Sequence, residues 1–173
     1  HELGKLYLDT KRYEEAVDSL ASAEYLYSVL DFNAARAFAL MDQGKAEVIL
    51  KRKHYAEGTY REALNILEDL NGDAEEEIVE IMLALALLRD DVQQAADLIH
   101  KALQRARKAD SRRALLMALH QSGEIDRALG DSAGAIAYFE EAIAVAEELD
   151  DTPARARAQE ELAITMRQQG QPE

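Results

Sequence analysis

Apolar residues recur at three- and four-residue spacing along almost the whole chain, and no segment alternates with a period of two. That pattern predicts helices throughout. Polar breaks fall at regular places. Asp9-Thr10-Lys11, the stretch 51–54, Arg89-Asp90 and Gly130-Asp131 form one set. Leu30-Asp31, Asn71-Gly72-Asp73, Ala109-Asp110-Ser111 and Asp150-Asp151-Thr152-Pro153 form a second set, interleaved with the first. Asp, Ser and Thr at these breaks are good N-caps, because their side-chain oxygens accept the first free backbone N–H groups of a helix, and Pro153 suits a first helical turn. The reading is nine helices, over 1–8, 12–30, 32–51, 54–70, 74–89, 91–108, 111–129, 132–149 and 153–169, arranged as antiparallel pairs joined by tight turns.

An internal repeat orders these helices. Four alanine pairs, Ala16/Ala23, Ala56/Ala63, Ala95/Ala102 and Ala135/Ala142, follow one another at steps of 40, 39 and 40 residues. A bulky apolar residue sits at the same offset inside each pair: Leu20, Tyr60, Ile99 and Phe139. Residues four and seven apart share one helix face. The small residues therefore let a neighbouring helix approach, and the bulky one fills the groove between them. The preceding helix of each pair carries a matching mark at Gly4, Gly44 and Gly123, with Leu83 and Ala163 at the equivalent places in the other two repeats. Gly inside a helix costs roughly 0.5–1 kcal/mol relative to Ala, and a close helix crossing is a reason to accept it.

These residues resemble the tetratricopeptide repeat. The resemblance rests on Leu3-Gly4-x-x-Tyr7 with Tyr13-Glu14-Glu15-Ala16, on Leu40-x-x-x-Gly44 with Ala56, Tyr60 and Ala63, on Val92-Gln93-Gln94-Ala95 with Ile99 and Ala102, and on Leu119-x-x-x-Gly123 with Gly130-Asp131, Ala135, Phe139 and Ala142. The period is near 40, whereas the family's usual repeat is 34; the aromatic that often opens the first helix and the usual proline after the second are missing. In this the chain resembles the extended repeats of kinesin light chain and of bacterial regulators that carry a sensor array. The resemblance implies an all-α fold, an α-α superhelix in one array over 1–173. A truncated repeat would occupy 1–31, full repeats 32–72, 73–109 and 110–150, and the first helix of a fifth 151–173. Both ends look cut, which reads as a fragment of a longer protein.

Composition narrows the functional classes. The chain has 173 residues and a formal net charge of −14, with no cysteine. So acidic a chain repels phosphate backbones, which argues against nucleic-acid binding by this segment. Without cysteine there is no thiol chemistry and no thiolate metal site, and the composition suits a cytoplasmic protein. The apolar run from Ile81 to Leu88 is far shorter than the ~20 residues of a membrane span, so no membrane partner is expected. Basic clusters at Lys51-Arg52-Lys53 and across Arg105, Arg107, Lys108, Arg112 and Arg113 read as solvated helix faces and ends, or as a docking patch for an acidic partner.

The residues offer no enzymatic constellation, cofactor loop or metal-ligand set. His1, His54, His100 and His120 are scattered along the chain. His120 and Glu124 stand four apart on a helix, a spacing that reads most simply as a solvent-facing pair. The seven tyrosines fall mostly at helix spacing and read as packing. Function is therefore expected in binding. In the tetratricopeptide family the first helix of each pair lines a concave inner groove. The resemblance then implies a groove of Phe38, Met41, Asp42, Lys45 and Val48 in the second repeat, and of Glu77, Glu80, Ile81, Ala84 and Leu88 in the third. Met117, His120, Gln121, Glu124 and Arg127 follow in the fourth, and Arg157, Glu160, Ile164 and Arg167 in the fifth. The family's clamp for a C-terminal carboxylate uses Asn and Lys at such positions; this chain has almost none there. The expected occupant is a protein or peptide, with a non-catalytic scaffold, as in the sensor of a bacterial transcriptional regulator, as the function. The alternative is self-association into a homodimer through the unusually apolar helix around Ile81 to Leu88 or through the end helices, since something must cover that strip.

Overall fold

A computed structural model describes residues 1–70, 74–109 and 111–170. The breaks expected at Asn71-Gly72-Asp73 and Asp110, and the chain end at Gln171-Pro172-Glu173, lie outside the described residues. The described residues form nine helices and no strand: α1 Glu2–Asp9, α2 Tyr13–Val29, α3 Asn33–Ile49, α4 Lys53–Asp69, α5 Glu75–Leu87, α6 Val92–Lys108, α7 Arg112–Leu129, α8 Ser132–Glu148 and α9 Thr152–Gln168. Each end lies within two residues of the boundary read from the apolar periodicity. None of these helices is long and apolar enough to cross a membrane.

The twelve repeat anchors are the packing centre. Leu20, Ile99 and Phe139 are almost wholly buried, as are Tyr60 and the eight paired alanines. The glycine marks explain the fit. A Cβ added at Gly4 would lie 2.5 Å from Leu20 Cγ, at Gly44 2.7 Å from Tyr60 Cε1, and at Gly123 2.5 Å from Phe139 Cε1. Each glycine thus seats the bulky residue of the next helix, at a separation that no side chain permits. In the third repeat the seat is filled differently: Leu83 and Ile99 belong to one apolar cluster, and no glycine is present.

Two compact units divide the chain, His1–Ala74 and Glu75–Glu173. In unit 1, α1 to α4 pack in sequence, with Ala16, Leu20 and Ala46 buried among Tyr7, Leu8 and Val17. Leu40, Met41, Tyr60, Ala63 and Leu67 are buried between α3 and α4 as well, and polar ties between helices supplement this core. Arg36 on α3 donates to Glu24 on α2 at 2.6 Å and pairs also with Glu62 on α4. Arg52 pairs with Glu14 at 2.6 Å. In unit 2 the core is larger and more continuous. It runs from Val79 and Leu83 through Leu103, Leu115, Leu116 and Leu119 to Val145 and Ala158. The apolar helix α5 has Ile78, Val79, Ile81, Leu83, Leu85 and Ala86 all buried in the folded chain. Most of the apolar strip is thus covered by the chain's own packing, while Leu87 near its end stays exposed.

Left-handed turns close helices in both units (after α8, Asp150 has φ of 53° and the Asp151 N–H donates to the Ala146 carbonyl at 2.9 Å), but the helix starts differ. After α1, α2 and α3 the chain turns through left-handed residues, Lys11, Asp31 and Lys51, with φ of 59°, 57° and 59°. The N–H groups of Arg12, Phe32 and Arg52 then donate back to the carbonyls of Tyr7, Tyr27 and Glu47 at 2.8–2.9 Å, closing Schellman turns. Those same residues open the next helices, and none of them supplies a side-chain cap. Asp91, Ser111, Asp131 and Asp151 in unit 2 do: their side chains accept from the free N–H groups of α6, α7, α8 and α9.

Candidate functional site

The anchors of the second helices draw them to one side of each first helix and leave another face open. In unit 2 that face forms a cleft of about 650 Å³ between α5, α7 and the first turns of α9. Its floor is apolar, from Leu83, Ala84 and Leu87 on α5, Leu116 and Met117 on α7, and Pro153 and Ala154 on α9. Leu83 and Leu116 are buried, whereas Leu87 stands 66% exposed at the edge. The wall from α9 is fixed by its capping turn: Asp151 accepts from the Ala154 N–H at 3.0 Å, and Pro153 sits in the first turn.

The rim is polar. Arg113 lies 3.7 Å from Glu76, and Arg157 lies 3.2 Å from Glu124; both guanidinium groups are largely exposed. Glu80, Gln121 and His120 complete the lining. His120 is not the solvent-facing residue expected from its spacing to Glu124. It lies one turn before Gly123, where Phe139 is seated, and its ring is buried with its centroid 5.9 Å from that of Phe139. Its Nε2 is 3.2 Å from Glu124 Oε1, an ion-pair distance out of line for a hydrogen bond. Glu124 is held below the usual carboxylate range, chiefly by His120 and further by Arg157, against the effect of its own burial.

Six of the residues expected in a groove, Glu80, Ala84, Met117, His120, Gln121 and Arg157, are brought together in this cleft. Ile81 is buried, and Glu77 on α5 and Leu88 just past its end are half-buried outside the lining. Arg127 faces elsewhere. It pairs with Glu161 at 2.6 Å, ties α7 to α9, and lies over the Phe139 ring at 5.8 Å. Glu160 and Arg167 are exposed on α9, and Ile164 is half-buried there. In unit 1, Met41 is buried, Phe38 and Val48 are exposed, and Asp42 and Lys45 line a smaller cleft of about 430 Å³ with Lys5, Leu8, Asp9, Tyr13 and Ile49. Asp42 Oδ2 there meets His1 Nε2 at 2.9 Å.

Sequence reasoning missed Leu83, Leu87, Arg113, Leu116 and the entry turn of α9. Leu83 had been matched to the glycine seats and so assigned inward. Arg113 and Leu116 follow a usable signal: residues 113, 116, 117, 120 and 121 make one helical stripe on α7, set one turn nearer the N-terminus than expected. Most of the basic cluster on α6 and α7 is engaged between helices. Arg105 forms a two-armed pair with Glu75, Arg107 meets Glu141 and Arg112 meets Glu148. Five of the seven tyrosines are at least half-buried, with Tyr25 and Tyr55 exposed. Among the described residues no three His, Cys, Asp or Glu side chains cluster as a metal site.

This arrangement of paired helices seated on small residues is the all-α class of the tetratricopeptide solenoid. Tetratricopeptide repeat models match residues 114–173 and 1–28, together about half of the chain, and the chain belongs to that family. No curated protein matches it. Solved structures share its fold at low identity. One is BtubC (BKLC) from P. vanneervenii, 18% identical with a TM-score of 0.79 over 91% of this chain and 66% of that one. Another is aspartyl phosphate phosphatase F from Bacillus subtilis, 19% identical with a TM-score of 0.81 over 96% of this chain and 44% of that one. A third is PlcR from Bacillus thuringiensis in complex with the peptide PapR7 and DNA, 13% identical with a TM-score of 0.75 over 99% of this chain and 62% of that one. The chain thus spans from under half to about two thirds of these proteins.

Proposed function

We propose that the chain is a non-catalytic binding scaffold whose α5–α7–α9 cleft takes a peptide segment bearing apolar side chains. The observation that carries this reading is the cleft itself: an open apolar floor on three first helices, inside a rim of charged and amide groups. Its volume lies in the range of ligand sites, and a few polar groups around an apolar surface suit recognition of a peptide's side chains and backbone. A relative in fold was solved with a peptide bound, which supports this class of ligand. The same likeness motivates a narrower reading, that the scaffold serves as the sensor of a bacterial regulator.

The test is fluorescence anisotropy with labelled hexapeptide pools in which Leu, Phe and Met alternate with random polar residues. The chain should bind such a pool, and Leu87→Glu should weaken binding at least tenfold, with helicity by circular dichroism unchanged because Leu87 is exposed. Binding that ignores Leu87→Glu places the ligand elsewhere on the chain; no binding by any pool removes the peptide reading. For the regulator version, the longer gene product should carry a DNA-binding or effector domain, and its absence would remove that version alone.

A further inference from the structure

We infer that the chain self-associates through the C-terminal end of α2, pairing with the same strip of a second copy. Tyr25, Leu26, Val29, Leu30 and Phe32 are each between 57% and 65% exposed. Helical spacing puts Leu26, Val29 and Leu30 on one face, with Tyr25 one turn before Val29. Asp31 turns the chain through its left-handed conformation, and the Phe32 N–H donates to the Tyr27 carbonyl at 2.9 Å, so the turn holds the Phe32 backbone close to the end of α2. Five large apolar side chains therefore occupy one continuous surface.

The fold does not require them there. Counting on by the 79 residues that separate Gly44 from Gly123, the same five places in the α6 repeat hold Gln104, Arg105, Lys108, Ala109 and Ser111. A repeat of the same architecture thus carries polar and small residues at this end. Leu26 and Leu30 recur as Ile66 and Leu70 in the α4 repeat and as Val145 and Leu149 in the α8 repeat, so what sets α2 apart is Tyr25, Val29 and Phe32.

Charge selects the occupant. Between Glu24 and Arg36 the sequence holds a single charged residue, Asp31. The two flanking charges are paired with each other at 2.6 Å, and Arg36 also meets Glu62. In a chain of net charge −14, a strip with one carboxylate brings two copies together with less repulsion than a densely acidic surface would. The strip is also self-complementary. It has an aromatic ring at each end and aliphatic side chains between, so two strips laid antiparallel about a two-fold axis set Tyr25 beside the partner copy's aromatic end and aliphatic against aliphatic, the isologous contact of a symmetric dimer. Five side chains at this exposure offer roughly 500 Å² of apolar surface per copy, close to the ~600 Å² per partner at which specific interfaces begin. The resulting dimer is weak and concentration-dependent.

Sedimentation equilibrium and cysteine cross-linking test this on the whole chain. A monomer–dimer equilibrium should appear by ~200 µM, where even a weak interface of micromolar affinity is populated. Val29→Glu should abolish it with helicity unchanged. The chain has no cysteine, so Val29→Cys introduces a single thiol near the proposed axis, and it should form an interchain disulfide at least tenfold faster than Lys101→Cys on the exposed face of α6. A monomer at every concentration, a dimer indifferent to Val29→Glu, or equal cross-linking rates at the two sites would each overturn the proposal.

Discussion

Units 1 and 2 use one repeat but start their helices, and distribute their apolar side chains, differently. In unit 2 the helices begin on Asp or Ser caps, and α6, α7 and α9 end on basic residues that suit the helix dipole. Its apolar side chains are gathered into a long core. In unit 1 α2, α3 and α4 begin without side-chain caps, while left-handed turns and interhelix ion pairs occur in both units, at Lys51 and Asp150 and between Arg36 and Glu24 and Arg127 and Glu161. Unit 1 also holds twelve of the sixteen large apolar residues exposed among the described residues. What the two share is the glycine seat and its bulky occupant, Gly44 with Tyr60 and Gly123 with Phe139. The shared element defines the architecture; caps, ties and surface apolarity are free to vary around it.

The strongest way to break that comparison is to empty a shared seat. Phe139→Ala and Tyr60→Ala should each destabilise the chain by ~3–5 kcal/mol in urea unfolding, since both remove a fully packed aromatic. A loss below ~1 kcal/mol at either site would show that the seat is not the common element. A smaller effect separates the two ways of starting a helix. Asp131→Ala should cost ~1 kcal/mol, because its side chain accepts from the Gly134 N–H at 2.9 Å, whereas Phe32→Ala removes no cap and should lose nothing on that account. Equal losses at the two positions in the same unfolding assay would erase the distinction.

The smallest expected effect concerns pH. Glu47 and Asp126 occupy equivalent buried positions, 79 residues apart. Glu47 accepts from Thr59 and Gln43, whereas Asp126 meets His100 at 3.0 Å. Burial holds the Asp126 carboxyl above its usual range, although His100 pulls it down. A group whose pKa is raised on folding contributes stability below its unfolded value, near pH 4, and loses it as pH rises through the folded value. Glu75 and Glu124 act in the opposite sense, since Arg105 and His120 hold them low and their contribution fades as pH falls. Urea midpoints of wild type and Asp126→Asn, measured from pH 4 to 7, isolate the first effect. The difference between them should shift toward the Asn variant as pH rises; a constant difference would show that Asp126 titrates alike in the folded and unfolded chains.

Much of the fold was legible because the signals are local and repeated. Helix boundaries follow from apolar spacing and from breaks such as Gly130-Asp131. The anchors were legible because Gly123 and Phe139 recur in register with Gly44 and Tyr60. The cleft was legible only in part. Met117 and Arg157 could be placed on first-helix faces by register, but the turn at Asp151 and Pro153 enters the lining through the approach of α9 to α7, which no spacing along one helix encodes.

The amino-acid sequence by itself determined the helices, their pairing and the places where they touch, since these depend on spacing along the chain and on which side chains are small. Only the tertiary structure decided which apolar residues are covered. Ile81 and Leu85 are as hydrophobic as Leu26 and Val29, yet the first two are buried and the last two are exposed. It likewise decided that His120 turns inward beside Phe139 and that Arg127 ties α7 to α9. The physical reason is that exposure and electrostatic partnership depend on what lies across a gap in space, and a residue's neighbours in sequence specify only its own side of that gap.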